Sequence, residues 1–326
     1  MGLLIFLGAL VVILLAFSLY CYKITFRVPK VRHEDLFRLP EGEQYNEVAQ
    51  KMLQISLIMD DADCEWVTTT AKDGTKLWGR FYEYNPGAPV LLLFHGYRSM
   101  ALRDSAGGFA LGQKLGFNVL AVDQRSHGRS EGRVITFGIR ERFDCLEWVN
   151  YINRRYDSGV PIILSGISMG AATVLMASEL PLPENVTCIM ADCPYSSPAE
   201  IIMKVAGDRG YPKKLSYPVI WLAGRLYGGF WVTDASAVEA VKNATLPILL
   251  IHGEDDRFVP CNMSREIYKN CTGIAQLHTF PDAGHGLCYI HDPRRYERIC
   301  VDFLWSVPSL HPWLERSDFV NKVRSV

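Results

Sequence analysis

Most of the chain alternates between short, continuous apolar runs and longer amphipathic stretches. The apolar runs predict strands at 89–95 (PVLLLFH), 117–123 (FNVLAVD), 161–168 (PIILSGIS), 186–192 (VTCIMAD), 247–253 (PILLIHG) and 275–280 (AQLHTF). The amphipathic stretches predict helices near 104–115, 138–155, 169–179, 262–271 and 293–306. Strands that are apolar along their whole length are buried on both faces. The pattern therefore predicts an α/β fold with a mostly parallel central sheet and helices on both faces.

A β-hairpin is predicted ahead of the parallel strands. Residues 65–84 form two alternating runs around Asp73-Gly74, a dipeptide that favours a tight turn. Before the hairpin lies a polar connector with a helical pattern near Glu47 to Met59. We therefore divide the chain into an N-terminal anchor with its basic flank (1–32), a connector (33–64), an α/β domain (65–310) and a C-terminal tail (311–326).

The stretch from about 194 to 245 separates two predicted strands and is too long for a simple connection. It contains helical patterns over Pro198–Val205 and Pro218–Tyr227 and is rich in aromatic residues. Such a long insertion is usually functional, and this one leaves the sheet on the carboxyl side of a strand, where ligands bind in open α/β folds. We expect a helical cap over the mouth of the sheet. The alternative is a second packing layer with no role in substrate binding.

The N-terminal segment is apolar enough to cross a membrane. Residues 3–22 carry no charge, and about twenty helical residues span a bilayer core of roughly 30 Å. Four cations follow, namely Lys23, Arg27, Lys30 and Arg32. We expect a single-pass anchor whose basic flank keeps the following domain in the cytoplasm; an extracytoplasmic domain is the alternative. A cleaved signal peptide is disfavoured because no Lys or Arg precedes the apolar run and no small-x-small cleavage site follows it.

The composition is that of a globular protein with a slight apolar excess. Hydrophobic residues make up 49% and charged residues 21% of the chain, and the mean hydropathy is +0.06. With 34 Lys and Arg against 35 Asp and Glu, the net charge of −1 gives no reason to expect a nucleic-acid partner. None of the nine cysteines forms a C-x-x-C pair, so a zinc or thioredoxin-type site is unsupported. We expect free, buried thiols, with disulfides as the alternative.

A G-x-S-x-G sequence lies where a predicted strand ends and a helix begins. It comprises Gly166, Ile167, Ser168, Met169 and Gly170. This is the context of a nucleophile elbow, in which a tight turn exposes the serine hydroxyl and small flanking residues let the strand and helix approach closely. The motif alone is weak evidence, since a serine at this position also suits a helix N-cap.

Two later segments supply the other groups that a serine nucleophile needs. Asp256 follows the strand PILLIHG, and His285 follows the strand AQLHTF. Because parallel strands end at one edge of the sheet, all three side chains can meet there. We expect Ser168 to attack a carbonyl, His285 to transfer the proton and Asp256 to orient the imidazole. Asp255 is the alternative acid; we prefer Asp256 from its offset before the following Val-Pro pair.

An acyl-transfer site also needs hydrogen-bond donors for the developing oxyanion. We predict the backbone N–H groups of Met169, the residue after the nucleophile, and of Tyr97, in the loop after the strand PVLLLFH. The Arg98 side chain is a less favoured contributor. His95 is expected to have a structural hydrogen-bonding role rather than a catalytic one.

Five segments, in this order, resemble the α/β-hydrolase superfamily: HGYR (95–98), DQRSHGRS (123–130), GISMG (166–170), HGEDDRFVP (252–260) and AGHG (283–286). The resemblance covers about residues 65 to 306 and implies the α/β-hydrolase fold. It also implies that the segment 123–130 is a structural turn. The anchor and the cap resemble the membrane-anchored hydrolases of bacteria and the related Bem46-type serine hydrolases of eukaryotes.

The resemblance implies an esterase, thioesterase or acylglycerol-lipase activity without a metal or organic cofactor. The aromatic cap and the anchor favour a lipophilic substrate, so we expect a serine hydrolase that cleaves carboxylic esters of small molecules through an acyl-enzyme. A thioesterase and a peptidase or amidase are alternatives, because the same triad serves all of them. A catalytically silent scaffold is the alternative outside catalysis, and the presence of all three triad residues disfavours it.

Overall fold

An eight-stranded sheet forms the centre of the computed structural model, which describes residues 1–28, 42–157 and 159–325. Part of the predicted connector, together with Lys30 and Arg32 of the basic flank, lies outside the described residues. The strands are β1 (Glu65–Thr70), β2 (Lys76–Tyr82), β3 (Val90–Phe94), β4 (Asn118–Asp123), β5 (Ile162–Ile167), β6 (Val186–Asp192), β7 (Ile248–Gly253) and β8 (Ala275–Phe280).

The strand order is β1-β2-β4-β3-β5-β6-β7-β8. The hairpin strand β2 pairs antiparallel with both β1 and β4, whereas every pairing from β4 through β8 is parallel. All residues of β3, β4 and β7 are buried, because helices cover both faces of the sheet. The predicted fold class is confirmed, and the strands lie within one or two residues of the apolar runs that predicted them.

The described residues contain fifteen α-helices, several of which cover the two faces of the sheet. They are α1 (Gly2–Thr25), α2 (Glu43–Asn46), α3 (Ala49–Asp61), α4 (Ala101–Asp104), α5 (Ala106–Leu115), α6 (Glu141–Arg155), α7 (Met169–Ala177), α8 (Pro198–Asp208), α9 (Lys213–Ala223), α10 (Ala237–Ala240), α11 (Cys261–Asn270), α12 (Cys288–His291), α13 (Pro293–Trp305), α14 (His311–Leu314) and α15 (Asp318–Arg324). Residues of α6, α7 and α11 join the core on one face. Residues of α5, α13 and α15 join the core on the other.

Two segments outside the central sheet form helices. The segment 311–326, expected as a tail, forms α14 and α15, and the buried side chains of Leu314 and Val320 attach these helices to the second core. The segment 194–245 forms the predicted helical insertion, with α8, α9 and a π-helical turn (Gly224–Gly228) that continues α9.

The N-terminal helix α1 is long and apolar enough to cross a membrane. Its most apolar window has a mean hydropathy of 2.9 and is 6% buried. The chain just after α1 is anchored in the folded domain, because Phe26 is fully buried and its ring lies 5.9 Å from that of Phe137 and 5.2 Å from that of Phe230. The carbonyl of Phe26 also accepts a hydrogen bond from Ile135 N at 2.7 Å. Sequence analysis did not predict this attachment.

All nine cysteines are free thiols, in agreement with the sequence analysis, and seven of them are buried. Cys188 and Cys300 lie in the second core, and Cys145 lies in the first. Burial raises the pKa of Cys188 to about 12, which keeps this thiol protonated and unreactive near neutral pH. These cysteines are therefore small apolar core residues.

Phe26→Ala is expected to loosen the attachment of α1 and destabilise the protein. Removing a fully buried phenylalanine costs about 3–5 kcal/mol of the free energy of unfolding, which lowers the Tm by roughly 6 °C or more in a domain of this size. The measurement is thermal unfolding of the full chain in detergent. Leu10→Ala on the exposed surface of α1 is the matched control, and equal Tm values for the two variants would contradict the packing described for Phe26.

Candidate active site

Ser168 lies in a strained turn between β5 and α7. Its φ of +55° falls in the left-handed region, which non-glycine residues rarely occupy. The turn is held by the hydrogen bond from Ser168 N to the carbonyl of Asp192 at 2.8 Å. Ser168 occupies the N-cap position of α7, but its side chain makes no capping hydrogen bond. Its hydroxyl is therefore free to serve another partner.

Two glycines permit the close approach that this turn requires. A Cβ added at Gly166 would collide with the backbone of Gly170. A Cβ added at Gly170 would collide with the carbonyl oxygen of Phe94 at the end of β3. The G-x-S-x-G spacing thus has a steric reason, because α7 begins in direct contact with the strands below it.

The structure brings Ser168, His285 and Asp256 together in one hydrogen-bonded chain. Ser168 Oγ lies 2.9 Å from His285 Nε2, and His285 Nδ1 lies 2.6 Å from Asp256 Oδ2. An ionised carboxylate only accepts hydrogen bonds, so Nδ1 carries a proton and Nε2 accepts from the serine hydroxyl. This is the arrangement that a serine nucleophile and its general base require.

Asp256 is fixed by four groups. Its Oδ1 accepts hydrogen bonds from the backbone N–H groups of Phe258 at 2.9 Å and Val259 at 2.7 Å. Its Oδ2 faces His285, and His252 Nε2 lies 3.2 Å from the same oxygen. The neighbouring Asp255 is exposed. Of the two acids that sequence analysis considered, only Asp256 contacts the histidine.

The electrostatic environment keeps Asp256 ionised. Burial of the side chain opposes ionisation, but the charge of His285 and the hydrogen bonds from His252 and His285 hold the pKa of Asp256 below its usual range. The carboxylate is therefore negative across the neutral and mildly acidic range. Sequence analysis did not single out His252; its position at the end of β7, in the segment that carries the acid, was the available signal.

The loop after β3 passes directly against Ser168. A Cβ added at Gly96 would lie 3.4 Å from the Cβ of Ser168, and Gly96 N donates to Asp104 Oδ2 at 2.8 Å. This places the backbone of Tyr97 beside the start of α7, where the N–H of Met169 is among those without an intrahelical partner. The two predicted oxyanion donors are thus neighbours of Ser168. Asp104, which positions the loop, carries no sequence signal of its role.

The Arg98 and His95 positions agree with the lesser roles that sequence analysis gave them. Arg98 N donates to His127 Nε2 at 3.1 Å, and its guanidinium donates to the carbonyls of Ile24 and Arg27. His95 is fully buried, with its ring nitrogens bonded to the backbone at Gly96 and Gln124. Burial lowers the pKa of His95 to about 3, so the ring stays neutral.

The segment 123–130 forms a turn whose polar side chains bond within the fold. Asp123 Oδ2 accepts from Arg129 N at 3.0 Å, and Ser130 Oγ donates to the carbonyl of Asp123. Arg125 binds both carboxylate oxygens of Asp144 on α6. These contacts give the segment the architecture of a structural turn, as the resemblance implies.

Three further residues at the site were missed by sequence analysis. The hydroxyl of Tyr45 donates to the carbonyl of His285 at 3.1 Å, and Gln44 Oε1 accepts from His285 N at 3.3 Å. Both come from α2 in the connector, more than two hundred positions before the histidine, so no local pattern links them. Asp192 ends β6, and burial raises its pKa to about 6; its place at the carboxyl edge of a strand was the only signal.

Two cavities meet at Ser168. The first has a volume of about 310 Å³ and is lined by residues of the connector, α4, α5 and α12, including His285 and Asp192. The second, of about 290 Å³, lies between α1 and the cap helices α8 and α9. Ser168, Tyr97 and Phe258 line both. Ser168 therefore borders both cavities.

One group of side chains that includes Asp256 and His285 carries metal-ligating atoms. Ligand atoms of Cys193, Asp256 and His285 lie within 4.8 Å of one another. This set suits a resident metal poorly. Burial raises the pKa of the Cys193 thiol well above its usual range, which disfavours the thiolate that binds metals. The other two groups are already hydrogen-bonded to each other.

Comparison with protein families finds a match over most of the folded domain. A family model described as "Alpha/beta hydrolase family" matches residues 90–299. YqkD, an uncharacterized protein of Bacillus subtilis, is 24% identical over 216 residues, which cover 66% of this chain and 70% of YqkD. The human protein ABHD12B is 27% identical over 222 residues, which cover 64% of this chain and 53% of that protein.

Comparison with solved structures finds the same fold. The esterase Pf2001 of Pyrococcus furiosus superposes with a TM-score of 0.61 at 22% sequence identity. The superposition covers 83% of this chain and 98% of Pf2001. At this identity the likeness demonstrates a shared fold.

The depressed pKa of Asp256 predicts how stability depends on pH. A carboxyl whose folded pKa is lowered contributes stability above its unfolded pKa of about 3.9 and loses it as the pH falls through the folded pKa. We expect Asp256→Asn to lower the free energy of unfolding at neutral pH, with a difference from wild type that shrinks below about pH 4. Urea unfolding across a pH series measures this difference.

Asp255→Asn is the matched control, because Asp255 is exposed and adjacent. Its free energy of unfolding should equal that of wild type at every pH. A pH-independent difference for Asp256→Asn would contradict the electrostatic role assigned to its carboxylate.

Proposed function

The chain belongs to the alpha/beta hydrolase family, and on that premise we propose that it is a serine hydrolase that cleaves carboxylic esters of lipophilic small molecules. The observation that carries the proposal is the hydrogen-bonded chain from Ser168 through His285 to Asp256. This chain lies where two cavities meet. A nucleophile, its base and an orienting acid are therefore in contact with space for a substrate.

In the first half-reaction, Ser168 Oγ attacks the ester carbonyl carbon while its proton passes to His285 Nε2. The tetrahedral intermediate collapses by breaking the bond to the leaving oxygen, which takes the proton from His285 and departs as the alcohol. In the second half-reaction, water gives a proton to the same nitrogen, and its oxygen attacks the acyl-enzyme. The carboxylic acid departs, and the proton returns to Ser168 Oγ.

The surrounding residues support each step. The N–H groups of Tyr97 and Met169 are the proposed oxyanion donors, which stabilise the negative charge of the tetrahedral intermediate. Asp256 accepts from His285 Nδ1, holds the required tautomer and stabilises the imidazolium. Tyr45 and Gln44 bond the backbone of His285 and fix the loop that presents the ring.

Two features favour a lipophilic ester. The cavity between α1 and the cap is lined mainly by apolar side chains, which suit an acyl or alkyl group. The structural neighbour Pf2001 bears the name esterase. Thioesters and amides are the competing substrates, because the same triad can attack their carbonyl groups.

The proposed organisation keeps the predicted boundaries: an anchor over 1–32, a connector over 33–64, a hydrolase domain over 65–310 with its cap at about 194–245, and a C-terminal segment over 311–326 whose helices α14 and α15 pack on the domain. The hydrogen bonds of Tyr97 and Tyr227 to carbonyl oxygens of Thr25 and Leu15 within α1 support retention of α1 over its removal as a signal peptide. Lys23 and Arg27 at the end of α1 favour a catalytic domain on the cytoplasmic side of the membrane.

Ser168→Ala is expected to abolish ester hydrolysis. Removal of the nucleophile lowers kcat/KM by about 10⁵ or more, because the remaining groups cannot form the acyl-enzyme. The measurement is hydrolysis of p-nitrophenyl esters by the purified full chain, together with fluorophosphonate labelling. Ser178→Ala, at the other end of α7, is the matched control and should retain both ester hydrolysis and fluorophosphonate labelling. Labelling that persists in Ser168→Ala would assign the nucleophile elsewhere.

The leaving group is expected to set the order of rates. With one acyl group carried on an alcohol, a thiol and an amine, we expect the highest kcat/KM for the ester. The competing thioesterase function predicts the highest value for the thioester, and the amidase function predicts measurable hydrolysis of the amide, which an esterase leaves intact. Absence of all three activities and of labelling in wild type would favour a catalytically silent scaffold.

A further inference from the structure

We propose that the last turns of α1 form one wall of the acyl-binding cavity, so that the N-terminal helix belongs to the substrate site and the acyl chain enters from the bilayer. This inference rests on the proposed ester hydrolysis and deepens it. It assigns the acyl group to the cavity between α1 and the cap. It assigns the leaving alcohol to the other cavity.

The first argument is the composition of the cavity wall. From α1, the lining residues are Phe17, Tyr20, Cys21, Ile24 and Thr25. The opposite wall comes from the cap, with apolar side chains of α8 and α9 that include Ile201, Ile202, Val205 and Ile220. Ser168 lines the same cavity. The nucleophile is therefore connected to the N-terminal helix through one apolar space.

The second argument is the shape and charge of this space. The helix positions from Phe17 to Thr25 extend about 12 Å along the axis of α1, so an alkyl chain can lie along the helix. No carboxylate lines the cavity among the described residues. One of its two lining cations, Arg98, uses its guanidinium to bind the carbonyls of Ile24 and Arg27. The cavity thus suits an uncharged alkyl chain.

The third argument is that hydrogen bonds fix the position of α1 relative to the site. The hydroxyl of Tyr97 donates to the carbonyl of Thr25 at 2.7 Å, and the hydroxyl of Tyr227 donates to the carbonyl of Leu15 at 3.0 Å. These contacts bracket the lining positions of α1. Tyr97 also supplies a proposed oxyanion donor from its backbone. The position of α1 is therefore tied to the loop that borders the nucleophile.

The fourth argument is the surface around α1 and the cap. Leu215, Leu222 and Leu226 of the cap are exposed, and so are Phe17 and Tyr20 of α1. Because α1 and α9 pack side by side, these side chains extend the exposed apolar surface of the helix onto the cap. A bilayer that surrounds α1 covers such a surface. A lipid chain can then pass from hydrocarbon into the cavity without crossing water.

The other cavity differs in chemistry and suits the leaving alcohol. Its lining includes the polar side chains of Arg103, Asp104, Asp192 and Tyr289. These groups offer hydrogen bonds to a hydroxyl-bearing fragment. The ester bond of a bound substrate would then lie at Ser168, with one arm in each cavity.

The test narrows the cavity from the side of α1. Cys21→Phe adds a ring at a lining position, whereas Ala16→Phe makes a comparable change at an exposed position of the same helix. The full chain is assayed in detergent with p-nitrophenyl acetate, octanoate and palmitate. We expect the ratio of kcat/KM for palmitate over acetate to fall at least tenfold in Cys21→Phe. We expect Ala16→Phe to keep the wild-type ratio.

A second measurement distinguishes a variant whose cavity is blocked from a variant that does not fold. Wild type and both variants are labelled with a methyl and a hexadecyl fluorophosphonate, which differ only in alkyl length. Slower labelling of Cys21→Phe by the hexadecyl reagent alone supports the proposal. If Cys21→Phe loses both reactions, Ile24→Trp replaces it in the same comparison.

Two outcomes overturn the inference in distinguishable ways. In the first, wild type hydrolyses the esters, and Cys21→Phe, Ile24→Trp and Ala16→Phe all keep the wild-type ratio of kcat/KM for palmitate over acetate. This outcome shows that α1 does not line the acyl site, and it leaves the proposed ester hydrolysis intact. In the second, wild type shows neither ester hydrolysis nor labelling of Ser168. This outcome contradicts the proposed function and therefore also the inference that rests on it.

Discussion

The close approach of α7 to the strands beneath it is the constraint on which the site depends. Gly166 and Gly170 have no room for a Cβ, and Ser168 between them adopts a φ of +55°. A backbone in this region costs on the order of 1–3 kcal/mol, which the buried strands and helices around it must offset. In return, the serine hydroxyl is directed out of the helix and toward His285 rather than onto the backbone.

A second constraint is the buried negative charge at the other end of the hydrogen-bonded chain that begins at Ser168. A carboxylate removed from water is costly unless it is hydrogen-bonded and paired. Asp256 meets this condition with two backbone donors and two histidines. The same contacts that make the charge tolerable also fix the geometry of His285. The burial of the charge and the position of His285 therefore depend on one set of hydrogen bonds.

The position of the N-terminal helix relative to Ser168 is fixed by contacts at both ends of the apolar cavity. Phe26 anchors the end of α1 in the core, and Tyr97 and Tyr227 bind the helix on either side of the apolar cavity. A helix held in this way has a defined position relative to Ser168. If α1 spans a membrane, the catalytic domain has a defined position relative to the bilayer as well.

The sequence by itself determined the fold class and singled out Ser168, Asp256 and His285, which the fold brings into one hydrogen-bonded chain. Apolar periodicity is a local property, and the elbow at Ser168 has local requirements for small neighbours, so both are visible in the chain. The contacts of Tyr45, Gln44 and Phe26 were decided only by the tertiary structure. Each joins segments far apart in sequence, and the burial that selects such contacts exists only when the sheet and its helices have assembled.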